Sequence, residues 1–306
     1  MANPLRGYFP IMATPYTEEG EVDLASVERL VEYLIESGAH GMSPNGGDSE
    51  APHLSVGERN AIIDVVVKTN GGRTPVLVGT SAHTVEETLE LNQHAQMAGA
   101  DSIFVHPGWG RSGLSIEEVV DFYDRICREI EIPVMIHGTA DMDLTVVEAL
   151  LERFPIITHI KEETSHGPKL RQYVEKLGNR VTVFAPGLHY PGELGWGAMG
   201  AMPSCVAPRG HARIFDLWQE GSHDEARGEW NRILPLLFWR WHTAAGEAGK
   251  VYLKQVGIFA HAYCRQQVTV PGKHSGAEVS FGSLTLEEAD RQEMLEILET
   301  LGDPPF

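Results

Sequence analysis

The sequence predicts a (β/α)8 TIM barrel of the α/β class, followed by a C-terminal helical extension. Three observations predict it. Short apolar runs alternate eight times with helical stretches. The repeating units, roughly 25 to 35 residues each, together approach the ~250 residues such a barrel needs. No Gly-x-Gly-x-x-Gly follows the first apolar run, which removes the main support for an open doubly wound sheet.

The strands are expected near 9–14, 39–43, 75–79, 102–106, 133–137, 156–160, 182–185 and 200–203. These runs are β-branched and apolar, as strands covered on both faces must be. Helices are expected near 23–38, 55–70, 84–98, 115–131, 144–154, 167–177, 190–198 and 208–220. Four of them open on a hydroxyl residue three positions before a glutamate: Ser55 and Glu58, Thr84 and Glu87, Ser115 and Glu118, Thr145 and Glu148. That spacing satisfies helix-start N–H groups reciprocally. After the barrel, 223–245, 250–266 and 285–301 are expected to be helical. No Gly/Ser or Pro linker separates them from the barrel, so residues 1–306 are expected to form one domain, with 1–222 as the barrel and 223–306 packed on it.

Composition narrows the partner class. A formal net charge of −19 excludes a basic face for nucleic acid or an anionic membrane, and leaves a small molecule as the expected ligand. Cys127, Cys205 and Cys264 are odd in number and lack CxxC spacing, so buried thiols are expected and no disulfide framework or thiolate zinc site. No apolar run approaches the ~18 residues of a membrane span, and the N-terminal residues run into an apolar strand without a signal-type segment, so a cytoplasmic protein is expected.

The chemistry of a barrel sits on the loops after its strands. The run Ile156 to Ile160 ends on Lys161, which points that lysine toward the barrel mouth. A partly desolvated amine is available in free form to attack a carbonyl carbon and form a Schiff base. The run Asn45 to Glu50 follows the second strand, and Gly46 and Gly47 let the backbone approach a carboxylate. His106, His137 and His159 end three neighbouring strands. Three imidazoles near one mouth form a possible zinc site, so a metal-dependent hydrolase is the rival class.

The match is spread along the chain: Pro10 to Pro15, Gly41, Gly46, Glu50, Leu54-Ser55, Glu58-Arg59, Val78-Gly79-Thr80, Ala98 to Asp101, Pro107, Pro133-Val134, Ile160-Lys161-Glu162, Gly200 to Ser204 and Lys254. In this order and spacing the chain resembles the dihydrodipicolinate synthase and N-acetylneuraminate lyase family, class I aldolases that act on pyruvate-like substrates. The resemblance implies that Lys161 forms the imine, that no cofactor or metal is used, that Ser204 contacts substrate, and that the assembly is a homotetramer.

The departures from the family are as specific as the match. Two hydroxyl residues of the family's second loop are replaced by Gly47 and Asp48, and its tyrosine after the fifth strand aligns with His137. Imidazole moves protons near neutral pH, so lyase chemistry is retained with His137 as the proton carrier. Backbone N–H groups of Gly46 and Gly47 are expected to hold the substrate carboxylate, Trp109 to shape the distal pocket, and Asp48 to bind a substrate hydroxyl or act as second base. The family's aromatic pair is replaced by Gly108-Trp109, and the arginine for the second substrate of lysine biosynthesis aligns near Met142. The expected function is therefore a Schiff-base lyase for a 2-oxo acid other than a true dihydrodipicolinate synthase. The altered relay also leaves open a ligand-binding barrel without catalysis.

Overall fold

Seven short runs of apolar and β-branched residues form parallel strands in the computed structural model, which describes residues 5–107, 113–138, 142–164, 166–243, 245–265, 268–271, 278–281 and 288–302. They are β1 (Gly7–Tyr8), β2 (Leu77–Gly79), β3 (Ser102–Val105), β4 (Val134–Gly138), β5 (Ile157–Glu162), β6 (Thr182–Ala185) and β7 (Gly200–Ala201). Their order in the sheet is β1-β7-β6-β5-β4-β3-β2.

The run expected as a second strand, 39–43, is not a regular strand. It makes isolated bridges on both sides, Ser43 with Ile11 and Met42 with Val76. The backbone bonds are present: His40 N–H donates to Tyr8 O at 3.0 Å, and Leu77 N–H to Met42 O at 2.9 Å. Pro10, Pro44 and Pro75 lie along these contacts and have no N–H to donate, so the ladders break into bridges. The sheet thus curls until its two edge strands meet the same segment.

Helices α1 (Leu24–Glu36), α2 (Val56–Asn70), α3 (Val85–Ala98), α4 (Ile116–Cys127), α5 (Leu144–Arg153), α6 (Gly167–Leu177), α7 (Tyr190–Gly195) and α8 (Pro208–Gln219) connect the strands. The capping boxes at Ser55, Thr84 and Ser115 form as expected. The fourth does not. Asp143 caps α5, its carboxylate accepting from Val146 N–H at 3.0 Å, and Thr145 is drawn inside the helix. Aspartate is the better N-cap acceptor.

Two apolar clusters follow from strand alternation. The larger fills the space between sheet and helices, with Val78, Ile103, Val105, Val134, Ile136, Ile160 and Val183 supplied by the strands. The smaller lies inside the curled sheet: Phe9, Ile11, Leu77, Phe104, Met135, Phe184 and Met202.

Beyond the sheet come α9 (His223–Thr243), α10 (Ala245–Gln255), an antiparallel pair β8 (Val268–Pro271) and β9 (Glu278–Phe281), and α11 (Glu288–Leu301). The second tail helix stops well short of 266 because Gly257 adopts φ +79 and caps it, its N–H reaching Lys254 O at 3.0 Å. Leu236, Leu237, Trp239, Val251, Tyr252 and Leu253 join the same large cluster as Tyr8 and Leu30. Among the described residues no helix is long and apolar enough to cross a membrane.

Candidate active site

Strand register builds the site. Phe104 pairs with Met135, Met135 with His159, and His137 with Lys161. Because side chains alternate, His137 and Lys161 share the inner face one layer above Met135 and His159. The register depends on an irregularity between Val134 and Met135, where the partner jumps from Ile157 to His159. Such a bulge re-aims every later side chain of the strand.

Lys161 is 4% exposed and His137 9%. Both face a cavity of about 350 Å³ that is also lined by Gly47, Asp48, Glu163, Ser204, His211 and Arg240. Its apolar wall comes from Ile11, Phe104, Leu188, Met202, Leu237 and Trp241. Lys161 Nζ makes an ion pair with Glu163 Oε2, and the same oxygen is 3.0 Å from His137 Nε2. Burial pushes the Glu163 carboxyl up, but the Lys161 charge and the His137 hydrogen bond outweigh it and hold it at about 2. The His137 ring packs edge-on against Phe104, 5.7 Å between centroids, and lies 5.3 Å from His106.

The second-loop residues divide. Gly46 N–H donates to Ser49 Oγ at 2.9 Å, and a Cβ there would meet Ile11 Cγ2 at 2.7 Å. Gly46 is therefore a packing position, and its N–H is not offered to a carboxylate as expected. Gly47 is exposed on the cavity wall. Asp48 is not an isolated charge, since Arg240 of α9 bonds its Oδ2 at 2.9 Å. Glu50 is ion-paired with Lys250 of α10, with both side chains almost fully buried. Two tail helices thus clamp the loop 45–50.

Ser204, 8% exposed, lines the cavity, and its carbonyl accepts from Tyr8 OH at 3.0 Å. Trp109 and Gly108 lie outside the described residues. Met142, near which the resemblance sets the family's arginine, is 1% exposed in the core.

The three histidines of the rival reading do not converge. His159 lies in the deeper layer, where its Nε2 accepts from Leu5 N–H at 3.1 Å and its Nδ1 is bonded to Thr158 Oγ1 at 2.7 Å. Burial lowers it to about 4, which keeps it neutral and structural. Among the described residues no three His, Cys, Asp or Glu side chains are grouped to hold a metal.

Glu163, Arg240 and Lys250 were not singled out from sequence. Glu163 was within reach of pattern reasoning, because two positions after Lys161 a strand returns to the same face. The two cations had no local signal.

A model of the dihydrodipicolinate synthetase family matches residues 4–279. The chain belongs to that family. Members of the family are lyases working through a lysine imine on pyruvate-like acids, and this chain is an enzyme of that class. It is 27% identical to L-2-keto-3-deoxyarabonate dehydratase of Azospirillum brasilense over 266 residues, 83% of this chain and 86% of that one. It is 30% identical to 4-hydroxy-tetrahydrodipicolinate synthase of Pelobacter propionicus over 231 residues, 72% of this chain and 78% of the relative. Among solved structures, a family member from E. coli K12 in complex with pyruvate superposes with a TM-score of 0.84 at 23% identity, covering 97% of this chain and 98% of the other. N-acetylneuraminate lyase from Fusobacterium nucleatum gives 0.84 at 17%, covering 97% and 99%.

Proposed function

We propose that this chain is a Schiff-base lyase for a pyruvate-like 2-oxo acid with a polar tail, with Lys161 as nucleophile and His137 as proton carrier. The observation that carries it is the buried Lys161, paired in register with His137 on the inner face and opening into the cavity. Lys161 attacks the keto carbon, and the resulting protonated imine withdraws electrons from the neighbouring carbon. His137 removes and returns the proton there. From the enamine the same centre expels a neighbouring hydroxyl as water; alternatively the protonated imine accepts the electrons of the next C–C bond as a distal hydroxyl is deprotonated, releasing an aldehyde and leaving the enamine.

Gly47 N–H and Ser204 hold the substrate carboxylate. The Asp48–Arg240 pair, neutral as a unit, receives the hydroxyls of the tail. We further infer that the bridging segment 39–43 closes the barrel in the place of an eighth strand, that barrel and tail form a single domain, and that the protein is a cytoplasmic homotetramer.

The test is borohydride reduction in the presence of pyruvate and a panel of sugar-derived 2-oxo acids, read by intact mass. One adduct per chain, mapping to Lys161 and absent from Lys161→Ala, is the expected result. Undiminished turnover in Lys161→Ala refutes it.

A further inference from the structure

The catalytic lysine has a carboxylate neighbour to which the lyase chemistry above assigns no role. Glu163 lies two residues beyond Lys161, on the same inner face, and lines the cavity with 36% of its side chain accessible. A single oxygen, Oε2, is shared between Lys161 Nζ and His137 Nε2. Since Oε2 is an acceptor, His137 carries its proton on Nε2. Its Nδ1 is buried and without a hydrogen-bond partner among the described residues. The contact therefore fixes the orientation of the ring and leaves Nδ1 as its unengaged nitrogen.

We propose that Glu163 is the counter-ion of the Lys161 imine and the group that fixes His137 beside it, an inference that rests on the lysine-imine reading. Imine formation converts the Lys161 ammonium and the substrate carbonyl into a protonated imine and water. The C–N bond forms, the C–O bond breaks, and two of the three ammonium protons leave with the oxygen. Nζ carries the positive charge in the resting ammonium and again in the protonated imine, giving up a proton only while the free amine attacks and the carbinolamine forms, and the one N–H of the imine keeps its bond to Oε2. A carboxylate already held in place by Lys161 and His137 therefore stabilises the cation that serves as electron sink, with little reorganisation.

The other charged groups facing the cavity do not compete for this role. Asp48 and Arg240 satisfy each other across it. Among the described residues, His106 on the neighbouring strand end, His211 on α8, and Glu193, whose carboxylate holds the wall formed by Gly187 and Leu188, are further titratable side chains near the cavity. Burial lowers His211 to about 4, so it carries no charge at neutral pH.

Pyruvate is the probe, and two readouts separate the steps. Borohydride trapping as a function of pH reports attack by the amine, and exchange of the pyruvate methyl protons in D2O reports proton removal after the imine has formed. In Glu163→Gln the adduct still forms, the pH limb of trapping moves to lower pH because the ammonium has lost its counter-charge, and methyl exchange falls by about tenfold or more. Glu163→Asp, which keeps the charge, returns the limb toward that of the parent. A Glu163→Gln enzyme with the parent's limb and exchange within about twofold overturns the proposal, as does a Glu163→Asp limb that follows Glu163→Gln. Absence of any adduct on the parent enzyme overturns the lysine-imine reading itself, whereas a normal parent with an indifferent Glu163→Gln overturns only the role of Glu163.

Discussion

His137 and Glu193 are the two residues whose settings make the sharpest demands on experiment. His137→Phe preserves the apolar contact with Phe104 while removing both ring nitrogens. The expected outcome is a pyruvate adduct that still traps with borohydride, together with methyl-proton exchange reduced by about 100-fold, in the range general acid–base groups contribute. Full-speed exchange assigns the proton to another group. Glu193 of α7 is a stability question. Its carboxylate accepts from the N–H groups of Gly187, Leu188 and His189 and so shapes a wall of the cavity. Burial pushes it up to about 7, against those three donors. A carboxyl raised in the folded state contributes its full stability below the unfolded value of 4.5, and loses it as pH rises through about 7. Thermal melts of the parent therefore fall between pH 5 and pH 8 more than those of Glu193→Gln. Glu163 has the opposite sign. Its stabilisation is present above 4.5 and disappears as pH falls toward about 2.

At the scale of elements, the tail helices hold the second loop by charge. Lys250 of α10 meets Glu50, and Arg240 of α9 meets Asp48. Glu50 is 3% exposed, so removing its cation leaves a buried carboxylate poorly compensated. Lys250→Met is expected to cost about 3–5 kcal/mol in urea unfolding, and Glu50→Gln combined with Lys250→Met to recover part of it. A cost below about 1 kcal/mol contradicts the buried pair. Arg240→Met restores the repulsion expected of an isolated aspartate at this loop, and 2-oxo acid binding weakens by about tenfold with little change in the trapped adduct at saturation. Equal affinity in parent and variant removes Arg240 from the substrate site. The same two contacts tie the tail to the second loop, since it supplies a cation to each of these carboxylates.

For the whole molecule, the apolar plug inside the curled sheet carries the layer on which the site rests. Phe184 is fully buried there, edge-on to Phe9 at 5.5 Å between centroids. Phe184→Ala is expected to destabilise the protein by about 3–5 kcal/mol, measured by chemical unfolding, through lost contacts and a residual cavity. Assembly is tested separately. Light scattering at micromolar protein is expected to give a tetramer mass, and a fully active monomer refutes the tetramer while leaving the lysine chemistry intact.

Much of this was legible in the order of the residues. Alternating apolar and amphipathic runs specify a parallel, helix-covered sheet, because only that arrangement buries strands on both faces. Capping boxes at Ser55, Thr84 and Ser115 mark helix starts, since the donors they satisfy lie three residues away. Lys161 was visible at a strand end for the same local reason. What tertiary structure alone decided is who stands next to whom. Asp48 meets Arg240 across 192 positions, and Glu50 meets Lys250 across 200. No local pattern encodes such pairs. The register jump between Val134 and Met135 decides that Lys161, and not Ile160, lies beside His137, and it places His159 a layer below. Side-chain direction in a strand has a period of two, so a one-residue shift reverses every face, and that shift exists only once the neighbouring strand is in place.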